Sequence, residues 1–342
     1  MNTSAYHLDP LHGLDGLSAR PQHVPVPGPG QVLVRVRAAS LNRRDLMLME
    51  GTYPLPATPD VIPLSDGVGE VIAVGSGVTR TAVGNRVTGT YFQRWIAGPQ
   101  RLAHVREQYG ANHDGWLAGH VVLEEDSVVH PPDHLTDAEA ACFTCAGVVA
   151  WAAVTKPAPV APGETVLTVG TGAVALFAVQ FARMHGARVV SVTSSADKAK
   201  RLREVGADEV IDRTETPDWH QAVRDLTGGD GVEHVVDAVG MPTLPKSVSA
   251  AAFNARITLI GAFPASAPAT TPVTDPFVGN YVSIRRIAVG SRTDFEDLNR
   301  ALTAHRMRPV IDREFPFAAA RDAYRYFRDG DPFGKVVVTL DH

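Results

Sequence analysis

The sequence predicts an α/β fold in which a doubly wound parallel sheet is joined to a β-rich second part. Three observations support this class. The apolar run Thr165–Val169 ends at Gly170, and a helical pattern opens at Ala173 with Phe177, Val179, Phe181 and Met184 on its apolar side. Strand and helix patterns then alternate to about residue 289, as a parallel sheet covered on both faces requires. Before about residue 128, short strands are separated by Gly, Pro and Asp turns, with little helical periodicity.

Within the β-rich part, the strands expected are Val32–Arg37, Gly69–Val74 and His120–Leu123. Strand Thr165–Val169 leads into helix Ala173–His185, stopped by Gly186. Strand Arg188–Thr193 leads into helix Ala196–Val205, stopped by Gly206. A third strand lies at Glu209–Ile211 and a helix at Pro217–Leu226. His234–Val239 and Arg256–Ile260 are the fourth and fifth strands, and Ile284–Val289 supplies a sixth. Amphipathic helices are expected over Phe295–Ala304 and Ala318–Phe327, with a terminal strand Lys335–Leu340. The economical arrangement is a domain over residues 1–128, a nucleotide-binding domain inserted over 129–294, and a return to the first domain over 295–342. A ligand cleft is then expected between the domains, outside the carboxyl ends of the parallel strands.

The segment Gly170-Thr171-Gly172-Ala173-Val174-Ala175 carries the chemistry. A strand, a tight glycine turn and a helix in that order form the dinucleotide-binding fingerprint of a Rossmann unit. Gly170 permits the turn, Gly172 lets a pyrophosphate approach the backbone, and small Ala175 lets the helix pack on the strand. The free N–H groups at the helix start then face the phosphates. An acidic residue at the end of the second strand would bind a ribose 2′-hydroxyl. Here that place holds Thr193, followed by Ser194 and Ser195. Hydroxyls do not repel a 2′-phosphate, and Lys198 and Arg213 can supply positive charge, so NADP (as NADPH) is the expected cofactor. The competing expectation is that Ser194 and Ser195 cap the next helix and Lys198 is a solvated charge.

Composition excludes other classes. A formal net charge of −5 over 342 residues gives no electrostatic case for nucleic acid or an anionic membrane. No apolar run reaches the roughly 18 residues of a membrane span, and Met1–Pro10 lacks the basic start and apolar core of a signal peptide. Only Cys142 and Cys145 are present, so no disulfide framework exists, and a cytoplasmic location is expected. Their CxxC spacing lies on an apolar helical stretch and is read as core.

Beyond the glycine turn, matches are spread along the chain. They are Ala39-Ser40-Leu41-Asn42-Arg43-Arg44-Asp45-Leu46, Gly51-Thr52-Tyr53-Pro54, Pro63–Val71, Val83–Val87, Asp237-Ala238-Val239-Gly240 and Phe333–Val337. With these the chain resembles the medium-chain dehydrogenase/reductase superfamily end to end, nearest its zinc-independent, quinone-oxidoreductase-like branch. The resemblance implies a GroES-like β-rich catalytic domain, a Rossmann domain and nicotinamide-dependent hydride transfer. It adds Val239, Gly240, Gly261, Ala262, Phe263, Gly334 and Lys335 to the expected cofactor residues. It also implies a homodimer through the Ile284–Val289 edge.

Zinc-dependent relatives hold their catalytic metal with a Cys, a His-Glu pair and a second Cys. Those positions here read Asn42, Ser65-Asp66 and Cys145, of which only Cys145 is a good ligand type. The lobe that elsewhere carries four structural cysteines, roughly Ala97–Gly115, has none. His104, His113, Asp114 and His120 cluster without ligand spacing, so no metal is expected. Without a Lewis acid, an activated C=C or a quinone is a less demanding hydride acceptor than a plain ketone, because its developing charge is delocalised. Tyr53 matches the position of a proton-donating tyrosine in related enoyl reductases. Asn42 is placed to bond a carboxamide or a substrate carbonyl.

Two departures from the family pattern bear on this. Arg43 stands where relatives commonly have an aromatic residue, and a cation there suggests an acidic substrate or a phosphate, or else a surface salt bridge of the Arg43-Arg44 pair with Asp45 or Glu50. Val149 stands where a threonine is usual near the nicotinamide. A metal-independent alcohol dehydrogenase, and a protein that binds NADP(H) or a ligand without turnover, therefore remain alternatives. The substrate expected is small and hydrophobic, with Phe92, Trp95, Phe277 and the Ala262–Asn280 loop as its lining.

Overall fold

The computed structural model describes residues 2–260 and 281–340. Gly261, Ala262, Phe263, Phe277 and the Ala262–Asn280 loop, all expected near ligand, lie outside them. The chain divides into two compact units, residues 1–148 with 290–342, and residues 149–289. These boundaries differ from the expected 128 and 294. Segment 129–148 bonds to residues earlier in the first unit: Thr144 Oγ1 donates to the Gly89 carbonyl, and Ser40 Oγ donates to that of Ala141. Arg86 binds the carbonyls of Pro132 and Leu135. An apolar helical pattern cannot reveal such partners.

In the second unit, six parallel strands run in the order Glu209–Asp212, Arg188–Thr193, Thr165–Val169, Val232–Asp237, Ala251–Ile260, Ser283–Ile287. All five pairings are parallel. This is the doubly wound order, and the direction of winding reverses between Thr165–Val169 and Val232–Asp237. Thr165–Val169 is buried throughout, as a central strand covered on both faces must be. Helix Ala173–Met184 turns Leu176, Phe177, Val179 and Phe181 inward, all 2% exposed or less. Helix Ala196–Val205 begins where Ser195 Oγ accepts the Lys198 N–H, and ends at Gly206.

The first unit is built on a seven-stranded, mostly antiparallel sheet. Its central strand Gln31–Ser40 pairs with Asp66–Val74, His120–Glu124 and Lys335–Thr339. The pairing with Lys335–Thr339 brings the chain's end back beside residues reached three hundred positions earlier. Ile311–Pro316 then adds in parallel to Lys335–Thr339. Its core includes Val32, Val34, Val36, Trp116, Tyr324 and Val336. Helix Arg43–Met49 follows the central strand directly, and at its start the Asn42 N–H donates to Asp45 Oδ2 at 2.7 Å. Among the described residues, no helix is long and apolar enough to cross a membrane.

Candidate active site

Each unit contributes one cluster of the residues singled out from the sequence. In the second unit the glycine turn sits at the reversal point of the sheet. Gly170 has φ +108°, a conformation that glycine adopts at no steric cost. A Cβ built on Gly170 would lie 3.3 Å from Val239 Cγ2, so the turn adjoins the expected Val239–Gly240 segment. Gly172 has ordinary φ, and a Cβ there would meet nothing within 4 Å. No side chain caps helix Ala173–Met184, so its first N–H groups are left for a ligand. Ala175 is fully buried, as close helix packing requires. This cradle fits a dinucleotide pyrophosphate.

Around it, Thr193 is 1% exposed, and its Oγ1 accepts the Ser195 N–H at 3.2 Å. Ser194 is exposed. Ser195 serves as the cap of the next helix, as the competing expectation held. The Arg213 N–H donates to the Thr193 carbonyl at 2.9 Å, which sets exposed Arg213 beside the end of that strand. Asp237 is fully buried and accepts the N–H groups of Val239 and Gly240 and the hydroxyls of Thr243 and Ser247. It therefore shapes the Val239–Gly240 turn from within.

In the first unit, Asn42, Asp45, Asp66, Cys145 and Lys335 converge. Gly334, with φ +125°, turns the chain into the Lys335–Thr339 strand. Lys335 is 1% exposed. Its Nζ donates to the Leu41 carbonyl at 2.8 Å and to Asn42 Oδ1 at 2.7 Å, and lies 3.5 Å from Asp66 Oδ2. Asp66 is fully buried. It also accepts the Ser65 hydroxyl at 2.7 Å and the Cys145 N–H at 3.2 Å. A π-helical turn over Phe143–Gly147 presents that N–H, where the sequence pattern suggested ordinary helix. Burial pushes the Cys142 thiol up to about 12, and the Cys145 thiol is raised as well.

A zinc ion needs three thiolate, imidazole or carboxylate ligands in tetrahedral array. Here the Asn42 side-chain oxygen and the Asp66 carboxylate are both engaged by an ammonium. No group of three His, Cys, Asp or Glu side chains among the described residues is placed to hold a metal. His104 stacks on Trp95, Asp114 accepts the Ile62 N–H, and His120 meets Thr3 Oγ1, so the histidine-rich lobe is dispersed. Asn42 keeps one group free: its Nδ2 is buried with no partner among the described residues.

Tyr53 is half-buried. Its hydroxyl lies 2.7 Å from that of Tyr91 and 3.2 Å from Gln108 Oε1. Arg44, which the sequence left between substrate anchor and surface ion pair, is 5% exposed. Its guanidinium lies 4.6 Å from the Tyr91 ring centroid and 5.4 Å from that of Tyr53. Arg43 is exposed. Phe92 and Trp95, expected to line a cleft, are 2% and 7% exposed; the Phe92 ring meets that of Tyr91 edge-on and also packs on Trp95. Tyr91 and Gln108 carried no signal in the sequence. They join Tyr53 only through the fold.

The chain matches the alcohol dehydrogenase GroES-like domain over residues 28–133 and the zinc-binding dehydrogenase domain over 173–304. A zinc-type alcohol dehydrogenase-like protein of Schizosaccharomyces pombe is 36% identical over 338 residues, covering 97% of this chain and 98% of its own. The acryloyl-coenzyme A reductase of Metallosphaera sedula is 28% identical, covering 95% and 96%. The crystal structure of an NAD-dependent alcohol dehydrogenase aligns with TM-score 0.87 at 30% identity, covering 99% of this chain and all of that one. The fold and these likenesses define an oxidoreductase. The chain belongs to the medium-chain dehydrogenase/reductase superfamily.

Proposed function

We propose that this protein is an NADPH-dependent reductase of activated C=C bonds or quinones that works without metal, in the quinone-oxidoreductase-like branch of its superfamily. The observation that carries the proposal is the half-buried Tyr53 hydroxyl, held in a hydrogen-bonded array in the same unit whose metal-ligand positions are engaged by the Lys335 ammonium. The name of the Metallosphaera sedula relative adds support, since an acryloyl thioester is an activated C=C.

In this reading Gly170–Ala175 hold the pyrophosphate through backbone N–H groups. Thr193, Ser194, Ser195, Lys198 and Arg213 receive the 2′-phosphate, with Val239 and Gly240 beside the turn. When bound, the reduced nicotinamide supplies a hydride. The residues of the first unit then manage charge and protons. Asn42 Nδ2, a buried donor without a protein partner, bonds a carbonyl oxygen. Tyr53 gives its O–H proton to the carbon α to that carbonyl as the delocalised enolate collapses, and solvent later restores the phenol. The net change is one hydride and one proton added across the C=C.

The Ser283–Ile287 strand forms one edge of the parallel sheet and would pair with a second copy in a cytoplasmic homodimer. Alcohol oxidation is the second reading, supported by the names of relatives such as the Schizosaccharomyces pombe protein. The deciding experiment is a spectrophotometric panel of enones, quinones, aldehydes and alcohols with NADPH, NADH and their oxidised forms. Tyr53→Phe is run beside it, with the zinc content of the purified protein measured. Loss of NADPH with enones, and a fall in turnover of roughly 10²–10⁴ in the variant, are expected. Turnover of alcohols alone would favour the second reading, one zinc per chain would remove the metal-free one, and binding without any turnover would remove both.

A further inference from the structure

The Tyr53 hydroxyl is the end of a chain whose polarity can be worked out by counting hydrogens. Gln108 Nε2 donates to the Val105 carbonyl at 2.7 Å, which turns Oε1 toward Tyr53 and Arg44. An amide oxygen only accepts. The single hydroxyl hydrogen of Tyr53 is therefore the one directed to Gln108, and the hydrogen between the two phenols comes from Tyr91. A hydrogen bond received by the Tyr53 oxygen stabilises the charge that oxygen acquires when its own proton leaves.

Arg44 stands behind both rings. Its Nη1 donates to the Tyr109 carbonyl at 2.9 Å and its Nη2 reaches Gln108 Oε1 at 3.4 Å. Its Nε has no partner among the described residues, and its charge is shared between the two phenols and the buried Asp45 carboxylate. Asp45, its neighbour in sequence, spends one carboxylate oxygen on the Asn42 N–H. A buried cation raises the local potential at the groups it lies against, here the Tyr91 and Tyr53 rings as well as Asp45.

We infer that Arg44 and Tyr91 are positioning residues for the Tyr53 proton donor, holding its hydroxyl in place and stabilising the phenolate left when the proton goes to substrate. The inference rests on the Tyr53 proton-donor reading above. In the step itself the Tyr53 hydroxyl hydrogen turns from Gln108 Oε1 to the substrate about the phenol C–O bond, the O–H bond breaks, and a C–H bond forms from the enolate electron pair. The electron pair of the O–H bond remains on the phenol oxygen, beneath the guanidinium and opposite the Tyr91 hydrogen. Because Tyr91 is 3% exposed, the proton that restores Tyr53 enters from solvent at Tyr53 itself. Arg44, Tyr91, Gln108 and Cys145 are the charged, titratable or polar groups that face the pair, with Asp45 beyond Arg44.

The test is a double-mutant cycle on the full-length enzyme with NADPH and an enone accepted in the panel. Arg44→Met should lower turnover roughly ten- to hundredfold while the NADPH dissociation constant stays unchanged. A weaker acid stays protonated to higher pH, so the alkaline limb of its pH–rate profile should move up by about one unit or more. In a Tyr53→Phe background the same substitution should cost almost nothing further. Tyr91→Phe, which removes one hydroxyl and leaves the ring, should shift the limb in the same direction and covers the case in which Arg44→Met fails to fold. If Tyr53→Phe is costly but Arg44→Met and Tyr91→Phe lower turnover equally in both backgrounds, with the limb unmoved, the role of Arg44 and Tyr91 is overturned and Tyr53 stands. If Tyr53→Phe alone changes nothing, the proton-donor reading falls and this inference with it.

Discussion

The ammonium of Lys335 donates to the side-chain oxygen of Asn42 at 2.7 Å, across 293 positions of sequence. It is nearly inaccessible to solvent, and its counter-charge is Asp66, fully buried at 3.5 Å. A cation supplied by the chain itself thus sits among Asn42, Asp66 and Cys145, the residues that the resemblance sets at metal-ligand positions. Its removal should be costly for the fold, because Asp66 would be left buried without its partner. Lys335→Met is expected to lower the unfolding free energy by about 3–5 kcal/mol, read from urea denaturation midpoints at constant slope. A loss below about 1 kcal/mol would mean that Asp66 is stabilised by the Ser65 hydroxyl and Cys145 N–H alone.

Asp45 gives a pH dependence with a definite sign. Burial, opposed by nearby Arg44 and the Asn42 N–H, lifts its carboxyl from 3.8 to about 6. The folded state therefore holds this proton more tightly than the unfolded chain. The associated stability is fully present below pH 3.8 and is lost as pH rises through about 6. Asp45→Asn, neutral throughout, should gain on the wild-type protein by roughly 2–3 kcal/mol between pH 4 and pH 7. Denaturation curves for both proteins across that interval check it, and parallel curves would contradict it.

At the glycine turn, Gly172 faces open space where a branched side chain would stand in the way of phosphate. Gly172→Val should abolish cofactor binding in a fluorescence titration. The circular dichroism spectrum should stay the same, since nothing in the protein meets the new side chain at its root.

Cofactor preference rests on Thr193. NADPH should bind at least about tenfold more tightly than NADH, and Thr193→Asp should reverse the order by setting a carboxylate against the 2′-phosphate. Equal affinities in the wild-type protein would contradict the reading of Thr193 and leave Ser195 as a helix cap only.

What the sequence determined by itself was local. Thr165–Val169, the Gly170 turn and the Ala173–Met184 helix were legible because they depend on residues adjacent in the chain. Buried strands show as apolar runs, left-handed turns need glycine, and helix faces repeat with their own period. The alternation that follows determined the parallel sheet. The tertiary structure decided everything that depends on distant partners. Arg44 and Arg43 are adjacent and chemically alike, yet one is buried under two tyrosines and the other exposed, and only the packing of residues 91 and 108 against helix Arg43–Met49 separates them. Lys335 belonged by its motif to the cofactor residues. Only the antiparallel pairing of its strand with Gln31–Ser40 shows that its ammonium reaches Asn42 and Asp66. Side-chain charges take their roles from the groups that surround them, and those groups are assembled by long-range strand pairing that leaves no periodic trace in the chain.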